Sequence, residues 1–288
     1  MPPTVLALVL SLAAWSDDVV IRKDVPYLGP SRAEKLDLYL PPSEPEPGET
    51  RPAVVIIHGG GWTGGRKDAA REIEIGTTLA RRGYVCVSID YALAKQGHPT
   101  WPGNLKDCKR AVQWLRKNAE ELQVDPGHIG AIGGSAGGHL TAMLAVTAPE
   151  DGFEPEEDPG VSTRIQAAVP MYAHMAAGFD GDQVMFPASM RDAPEMYRLA
   201  APINHVTPDD PPMLLLHGTA DTTTPIAHSE RLAAKLDEVG VEHQFVVVEG
   251  APHSFALKPR QRDLTELVVG FFDRHLKEAK PRAEGGGG

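Results

Sequence analysis

Gly133-Gly134-Ser135-Ala136-Gly137 fits the pattern G-x-S-x-G, and its neighbours give the pattern meaning. A β-forming run, HIGAIGG from His128, leads into it, and SAGGHLTAMLAVTA, of helical composition, leads away. A serine on a tight strand-to-helix turn projects its hydroxyl into the open. The flanking glycines leave room where a Cβ would meet the neighbouring strand and helix, and the helix N-terminus behind the serine favours developing negative charge. Alone, the pentapeptide also suits a glycine-rich turn whose serine merely caps the helix.

His58-Gly59-Gly60-Gly61-Trp62 follows a second β-forming run, AVVIIH from Ala53. Three consecutive glycines let the backbone pass close to a substrate and aim N–H groups at an oxyanion. A phosphate loop would continue Gly-Lys-Ser/Thr, whereas this chain continues Trp-Thr-Gly-Gly-Arg-Lys. A dinucleotide fingerprint would open a helix at once, and here a helix is expected only near Asp68. With the amide of Ala136, those of Gly60 and Gly61 complete an oxyanion hole. Each lost donor should cost about 100- to 1000-fold in turnover.

A serine hydroxyl needs a base, and the base needs an acid to orient it. Eleven histidines compete. His253, in EGAPHSF, follows the strand-like run HQFVVVEG and so falls on a loop at the same rim. His217, His243 and His139 read as structural, and His58 as an anchor for the glycine loop. Asp221, in LLLHGTADTTTP, follows another strand-like run and is the expected carboxylate, with a simple helix-capping turn as its other reading. Glu249, at the end of the strand before His253, is the second candidate. The chain order Ser, Asp, His belongs to the α/β-hydrolase arrangement rather than to the two common protease orders.

These turns need a scaffold that brings them to one edge. VVIRKDV from Val19 and KLDLYL from Lys35 alternate in polarity and suit an antiparallel sheet edge. AVVIIH, YVCVSID from Tyr84, IQAAVPMY from Ile165 and PMLLLHG from Pro212 are apolar runs of the kind found in strands covered on both faces. Helices are expected over 68–82, from Asn104, where Leu105, Cys108, Val112, Leu115, Ala119 and Leu122 recur at helical spacing, over 225–239 and over 260–277. Strands alternating with helices imply an α/β fold with a mostly parallel sheet covered on both faces. The expected layout is one domain over 17–280, with a lid-like insertion formed by 150–163 and 173–211.

Composition narrows the partners. Lys plus Arg number 28 against 39 Asp plus Glu, a net charge of −11, which disfavours nucleic acid and anionic lipid. At 42% hydrophobic and 23% charged, the chain is of globular type. Two cysteines make neither a disulfide scaffold nor a cysteine zinc cluster, and Cys86 and Cys108 fall in apolar runs as core thiols. No metal is expected: the acidic stretch from Glu150 to Asp158 lacks the spacing of a calcium loop. The apolar run TVLALVLSLAAW is too short to cross a bilayer and reads as the core of a secretory signal over 1–16, which implies a secreted or periplasmic protein. A folded N-terminal segment or a mis-called start, with a cytoplasmic protein, is the alternative, because no Lys or Arg precedes Arg22. The glycine-rich end, 281–288, reads as a disordered tail.

Together HGGGW at 58–62, SIDY at 88–91, DCKRAVQWLRKNA at 107–119, GGSAGGHL at 133–140, HGTAD at 217–221 and APHSF at 251–255 resemble the α/β-hydrolase superfamily. Within it they are similar to carboxylesterases of the hormone-sensitive-lipase type and to bacterial carbohydrate and feruloyl esterases, over about residues 30–277. The resemblance implies hydrolysis of carboxylic esters through an acyl-enzyme without metal or organic cofactor. It makes Ser135 the nucleophile, Asp221 and His253 its partners, and Gly60, Gly61 and Ala136 the oxyanion donors. Two departures bear on the substrate: Ala92 stands where many relatives have Arg, and AHMAAGFD follows Tyr172 where an Asp-Leu pair is frequent. With no large helical cap before HGGGW, an open site is expected, with Trp62 and Trp101 as substrate contacts and Met175, Phe179 and Phe186 as further candidates. Acetylated or feruloylated carbohydrate is the expected ester. An arylformamidase-like amide hydrolase, a prolyl-oligopeptidase-like peptidase and a non-catalytic binding protein on the same scaffold are the alternatives.

Overall fold

The computed structural model describes residues 18–43, 45–46, 48–175 and 181–277. The expected signal segment, the glycine tail and Phe179 lie outside the described residues. β1 (Val20–Val25) pairs antiparallel with β2 (Leu36–Leu40), which also runs antiparallel along β4 (Val85–Ile89); β4 is the parallel neighbour of β3 (Arg51–Ile57). β5 (Val124–Gly134), β6 (Ala167–Met171), β7 (Met213–Gly218) and β8 (His243–Val248) continue the sheet in parallel from the other side of β3. The spatial order is therefore β1-β2-β4-β3-β5-β6-β7-β8. It reverses direction at β3, and such a reversal opens a crevice beyond the carboxyl ends of the central strands.

Alternate residues of each central strand face opposite layers, which is why these runs are apolar throughout. Val55 and Ile57 join the core beneath α2 (Gly103–Lys117), α4 (Ala136–Val146) and α6 (Ala227–Val239), whereas Val54 and Ile56 join the core beneath α1 (Ala70–Arg81) and α7 (Thr265–Phe272). The short helices α3 (Ala119–Leu122) and α5 (Pro194–Leu199) are also present among the described residues, the second between β6 and β7. Cys86 and Cys108 are buried free thiols. β1 is exposed along most of its length, and its pairing is broken by an irregularity between Arg22 and Val25, with Asp24 in the left-handed region. No helix among the described residues is long and apolar enough to cross a membrane.

Several expected boundaries move, and the last helix is α-helical only to Phe272 before a π-helical turn over Asp273–Lys277. The helix from Asn104 is interrupted at Asn118, where the backbone leaves helical angles and the side-chain amide donates to the Trp114 carbonyl at 2.7 Å. The apolar spacing persists through the break because α3 packs Leu122 in the same core. The last helix starts at Thr265 rather than 260: Asp263 accepts the Thr265 amide at 2.8 Å, and Leu264 donates back to the Leu257 carbonyl. The strand expected from His128 starts earlier, at Val124, which pairs with Arg51 before an irregularity in the β3 ladder.

His139, in α4, ties the sheet layer to the segment between β6 and β7. One ring nitrogen meets the Ala200 carbonyl at 2.7 Å, and the other accepts from the Trp62 indole at 3.3 Å. Complete burial pushes its pKa from 6.5 down to about 4. The folded state thus holds His139 neutral while the unfolded chain binds a proton, so its contribution is fully present above pH 6.5 and is lost as pH falls toward 4. This one group should remove ~3 kcal/mol of stability over that range. Urea unfolding at a series of pH values should show the acid-side slope becoming shallower in His139→Gln.

Candidate active site

The turns after β3, β5, β7 and β8 meet at the carboxyl edge of the sheet. The tightest joins β5 to α4. Ser135 stands there at φ 58° and ψ −121°, in a region costly for any residue with a Cβ, and its N–H is held by the Met171 carbonyl at 2.9 Å. A Cβ on Gly137 would overlap the carbonyls of Ile57 and His58, so glycine is what lets α4 start this close to β3. The Ser135 side chain makes no capping bond to α4, which leaves its hydroxyl directed elsewhere.

That hydroxyl lies 2.9 Å from Nε2 of His253, and Nδ1 of His253 lies 2.7 Å from Oδ2 of Asp221. The structure thus brings together three residues from the turns after β5, β7 and β8. The Asp221 side chain is fully covered, and burial alone would raise its pKa. The amides of Thr224 (2.8 Å) and Thr223 (2.9 Å) and the His253 ring outweigh that effect and hold it below the ordinary carboxylate range. Asp221 is therefore both the turn-capping residue and the histidine's partner. An ionised Asp221 fixes the Nδ1–H tautomer, which leaves the Nε2 lone pair facing the serine hydroxyl. Glu249 instead accepts from Thr219 Oγ1 at 3.1 Å on an exposed turn.

Gly60, at φ 116°, turns its carbonyl into a tight turn, where it accepts from the Thr63 and Gly64 amides at 3.1 and 3.0 Å. The amides of Gly60, Gly61 and Ala136 donate to no backbone acceptor among the described residues. His58 braces this loop: Nδ1 lies 2.7 Å from the Gly59 carbonyl, and the ring stacks on Tyr91 at 4.4 Å. His217 is buried and braces the acid's turn through Thr224 O (2.9 Å) and Ser229 Oγ (2.8 Å), with Asp221 Oδ2 3.3 Å away. His243 turns to the Val241 carbonyl at its strand end, away from the triad turns.

Trp62 is almost wholly buried, its indole donating to His139, and Trp101 packs against His139, Phe153 and Phe186. Both therefore belong to one aromatic wall, and Trp62 contributes packing more than open surface. Ala92 gives only its amide to Asp107 (2.9 Å), while Arg32 grips the same carboxylate through two nitrogens. Sequence reasoning passed over two residues at this edge. Arg71 and Tyr172 are joined by a 2.6 Å hydrogen bond beneath the Ser135 turn, and neither carries a motif. Among the described residues no group of three or more His, Cys, Asp or Glu is placed to hold a metal ion.

A sheet of this order, with a hydroxyl on the strained turn after its fifth strand and an imidazole on the loop after its last, is the α/β-hydrolase fold. The chain belongs to the BD-FAE family, whose sequence profile matches residues 36–236. It is 31% identical over 263 residues to the esterase LipQ of Mycobacterium tuberculosis, covering 86% of this chain and 61% of that protein. The chain spans about six-tenths of the length of the curated relatives it matches first. Among solved structures, a truncated carbohydrate esterase from gut microbiota superimposes with a TM-score of 0.79 at 26% identity, covering 91% of this chain and 98% of that one. The butyrate-bound esterase Est2 of the planctomycete Thermogutta terrifontis does so with a TM-score of 0.69 at 30% identity, covering 83% and 89%.

The turn geometry makes a direct prediction. Gly137→Ala should lower stability by about 1–3 kcal/mol through overpacking and displace Ser135 from His253. Thermal unfolding measures the first effect, and the rate of p-nitrophenyl acetate hydrolysis the second.

Proposed function

We propose that the chain is a serine carboxylesterase that cleaves its ester through an acyl-enzyme. The observation that carries this reading is the unbroken line from Ser135 Oγ through the His253 ring to a buried, ionised Asp221. Ser135 Oγ attacks the ester carbonyl as His253 Nε2 takes its proton. The carbonyl oxygen becomes an oxyanion, received by the amides of Gly60 and Gly61 and by that of Ala136 at the N-terminus of α4, none of which donates to a backbone acceptor among the described residues. His253 then gives the proton to the leaving alkoxide. Water repeats the sequence: His253 takes its proton, the hydroxyl adds to the acyl group, and Ser135 leaves with the proton restored. Asp221 stays ionised throughout and compensates the imidazolium each time it forms.

For the substrate, we infer a short acyl group, acetyl first, carried on a carbohydrate alcohol, with feruloyl esters as the second choice. A carbohydrate esterase and a butyrate-bound esterase among the structural neighbours support this choice. The apolar run before Asp17 supports export, which would put the enzyme where polysaccharide esters are found.

Steady-state rates on p-nitrophenyl acetate, butyrate and octanoate, measured beside Ser135→Ala, test the reaction. The variant should lose about 10⁴-fold or more in kcat, and the rates should fall steeply with acyl length. Equal rates from the two proteins would overturn the assignment of Ser135. Asp221→Asn should lower kcat by about four orders of magnitude, because an amide no longer fixes the productive tautomer. For the substrate, acetyl-xylan should release acetate faster than methyl ferulate releases ferulate, and N-formylkynurenine should be the slowest; the reverse order would exchange the ester reading for the formamidase one.

A further inference from the structure

His253 sits on a loop with no regular secondary structure after an edge strand, yet it must reach a serine three strands away across the sheet. Three strand spacings are ~14 Å. Tyr172, at the end of β6, occupies the space that the loop must cross. Its ring meets the His253 ring edge-on at 5.1 Å and the Phe255 ring at 4.5 Å. Its hydroxyl donates to the Phe255 carbonyl at 2.6 Å and accepts from Arg71 Nη1 at 2.6 Å. Arg71, the second residue of α1, is largely buried and is neutralised by Glu72, whose Oε1 accepts from Arg71 Nε at 2.9 Å.

This linkage runs against the nucleophile's own backbone. A Cβ on Gly134, the residue before Ser135, would fall 2.5 Å from both Arg71 Nη1 and the Tyr172 hydroxyl. The linkage also coincides with backbone strain: Tyr172 at φ 39° and Ser254 at φ 64° are both non-glycine residues in the left-handed region. Such conformations persist only where surrounding contacts over-determine them. Tyr172 is held by its N–H to the Leu216 carbonyl (2.7 Å) and by both bonds of its hydroxyl. Burial raises the phenol's pKa despite the neighbouring guanidinium, so it stays protonated and remains a donor to Phe255.

We infer that Tyr172, oriented by the Arg71–Glu72 pair, is a positioning residue that holds the His253 loop so that its imidazole stays in line between Ser135 and Asp221. The inference rests on the esterase reading above and adds to it a second support, independent of the acid. Asp221 fixes the ring from its Nδ1 side; Tyr172 fixes the main chain two residues downstream and closes off the ring's flank. The phenol acts through His253, so its loss should appear in turnover and not in substrate affinity.

The test is steady-state p-nitrophenyl acetate hydrolysis by the full chain and by Tyr172→Phe, Arg71→Lys and the double variant, each checked for a cooperative thermal transition. Tyr172→Phe keeps the ring contacts and removes only the hydroxyl; its kcat should fall about 10- to 100-fold with KM essentially unchanged. Arg71→Lys keeps a charge beside Glu72 but loses the fork that also reaches Tyr172, so it should lower kcat in the same direction. The double variant should be no slower than Tyr172→Phe, because both substitutions break one linkage. A wild-type kcat in Tyr172→Phe, a loss confined to KM, or losses that multiply in the double variant would each overturn the inference. Should Tyr172→Phe fail to fold, the kcat-against-KM split of Arg71→Lys decides instead. Stoichiometric labelling by a fluorophosphonate keeps the two levels apart. A wild-type chain that is not labelled at Ser135 removes the esterase reading, whereas one that is labelled and turns over ester leaves Tyr172 alone on trial.

Discussion

The hydrogen bond between His253 and the covered carboxylate of Asp221 is the constraint on which the rest of the site depends. It selects the tautomer, and so decides whether the face turned to Ser135 is a lone pair or a hydrogen. Making it requires a charge to persist inside the protein, which is costly unless that charge is compensated. Two backbone amides from the turn after β7 and one imidazole provide the compensation. The carboxylate in turn depends on that turn keeping its shape, and buried His217 braces it from behind. The chemistry therefore draws on the packing of α6 and β7 as much as on the three side chains.

Register carries the same constraint across the sheet. β3 and β5 pair with Ile57 opposite Gly133, which sets the glycine loop beside the serine turn. β7 and β8 pair with Gly218 opposite Val248, which sets the acid and histidine loops side by side. A slip of one residue in either ladder would reverse the faces of the apolar core, so the buried layers fix the register that the site needs. Left-handed backbone at Trp62, Ser135, Tyr172 and Ser254 gathers at this edge. That local cost is carried by a core in which the central strands are almost wholly enclosed.

Much of this was legible in the residues themselves. Continuous apolar runs marked the strands, because only a strand covered on both faces can afford them, and glycines at fixed offsets from Ser135, His253 and Asp221 marked the turns. The helix break at Asn118 was hidden because α3 packs Leu122 into the same core, so periodicity ran on through the interruption. Arg71 and Tyr172 were hidden for a different reason. An arginine in an amphipathic helix and a tyrosine at the end of an apolar strand are ordinary residues in sequence, and their bond exists only once α1 and β6 are stacked. Nor did any local pattern show that Arg32, far earlier in the chain, would grip Asp107 in α2.

The irregular, solvent-facing first strand has a consequence for the molecule in crowded surroundings. A straight outer strand offers a row of unsatisfied amides and carbonyls on which a second sheet can grow. Here Arg22 and Lys23 stand on that border, the ladder is irregular beside them, and the exposed Asp24 pairs with Lys67 at 2.9 Å. That border of the sheet is thus a poor template for stacking, even though Val20 and Ile21 are open to water.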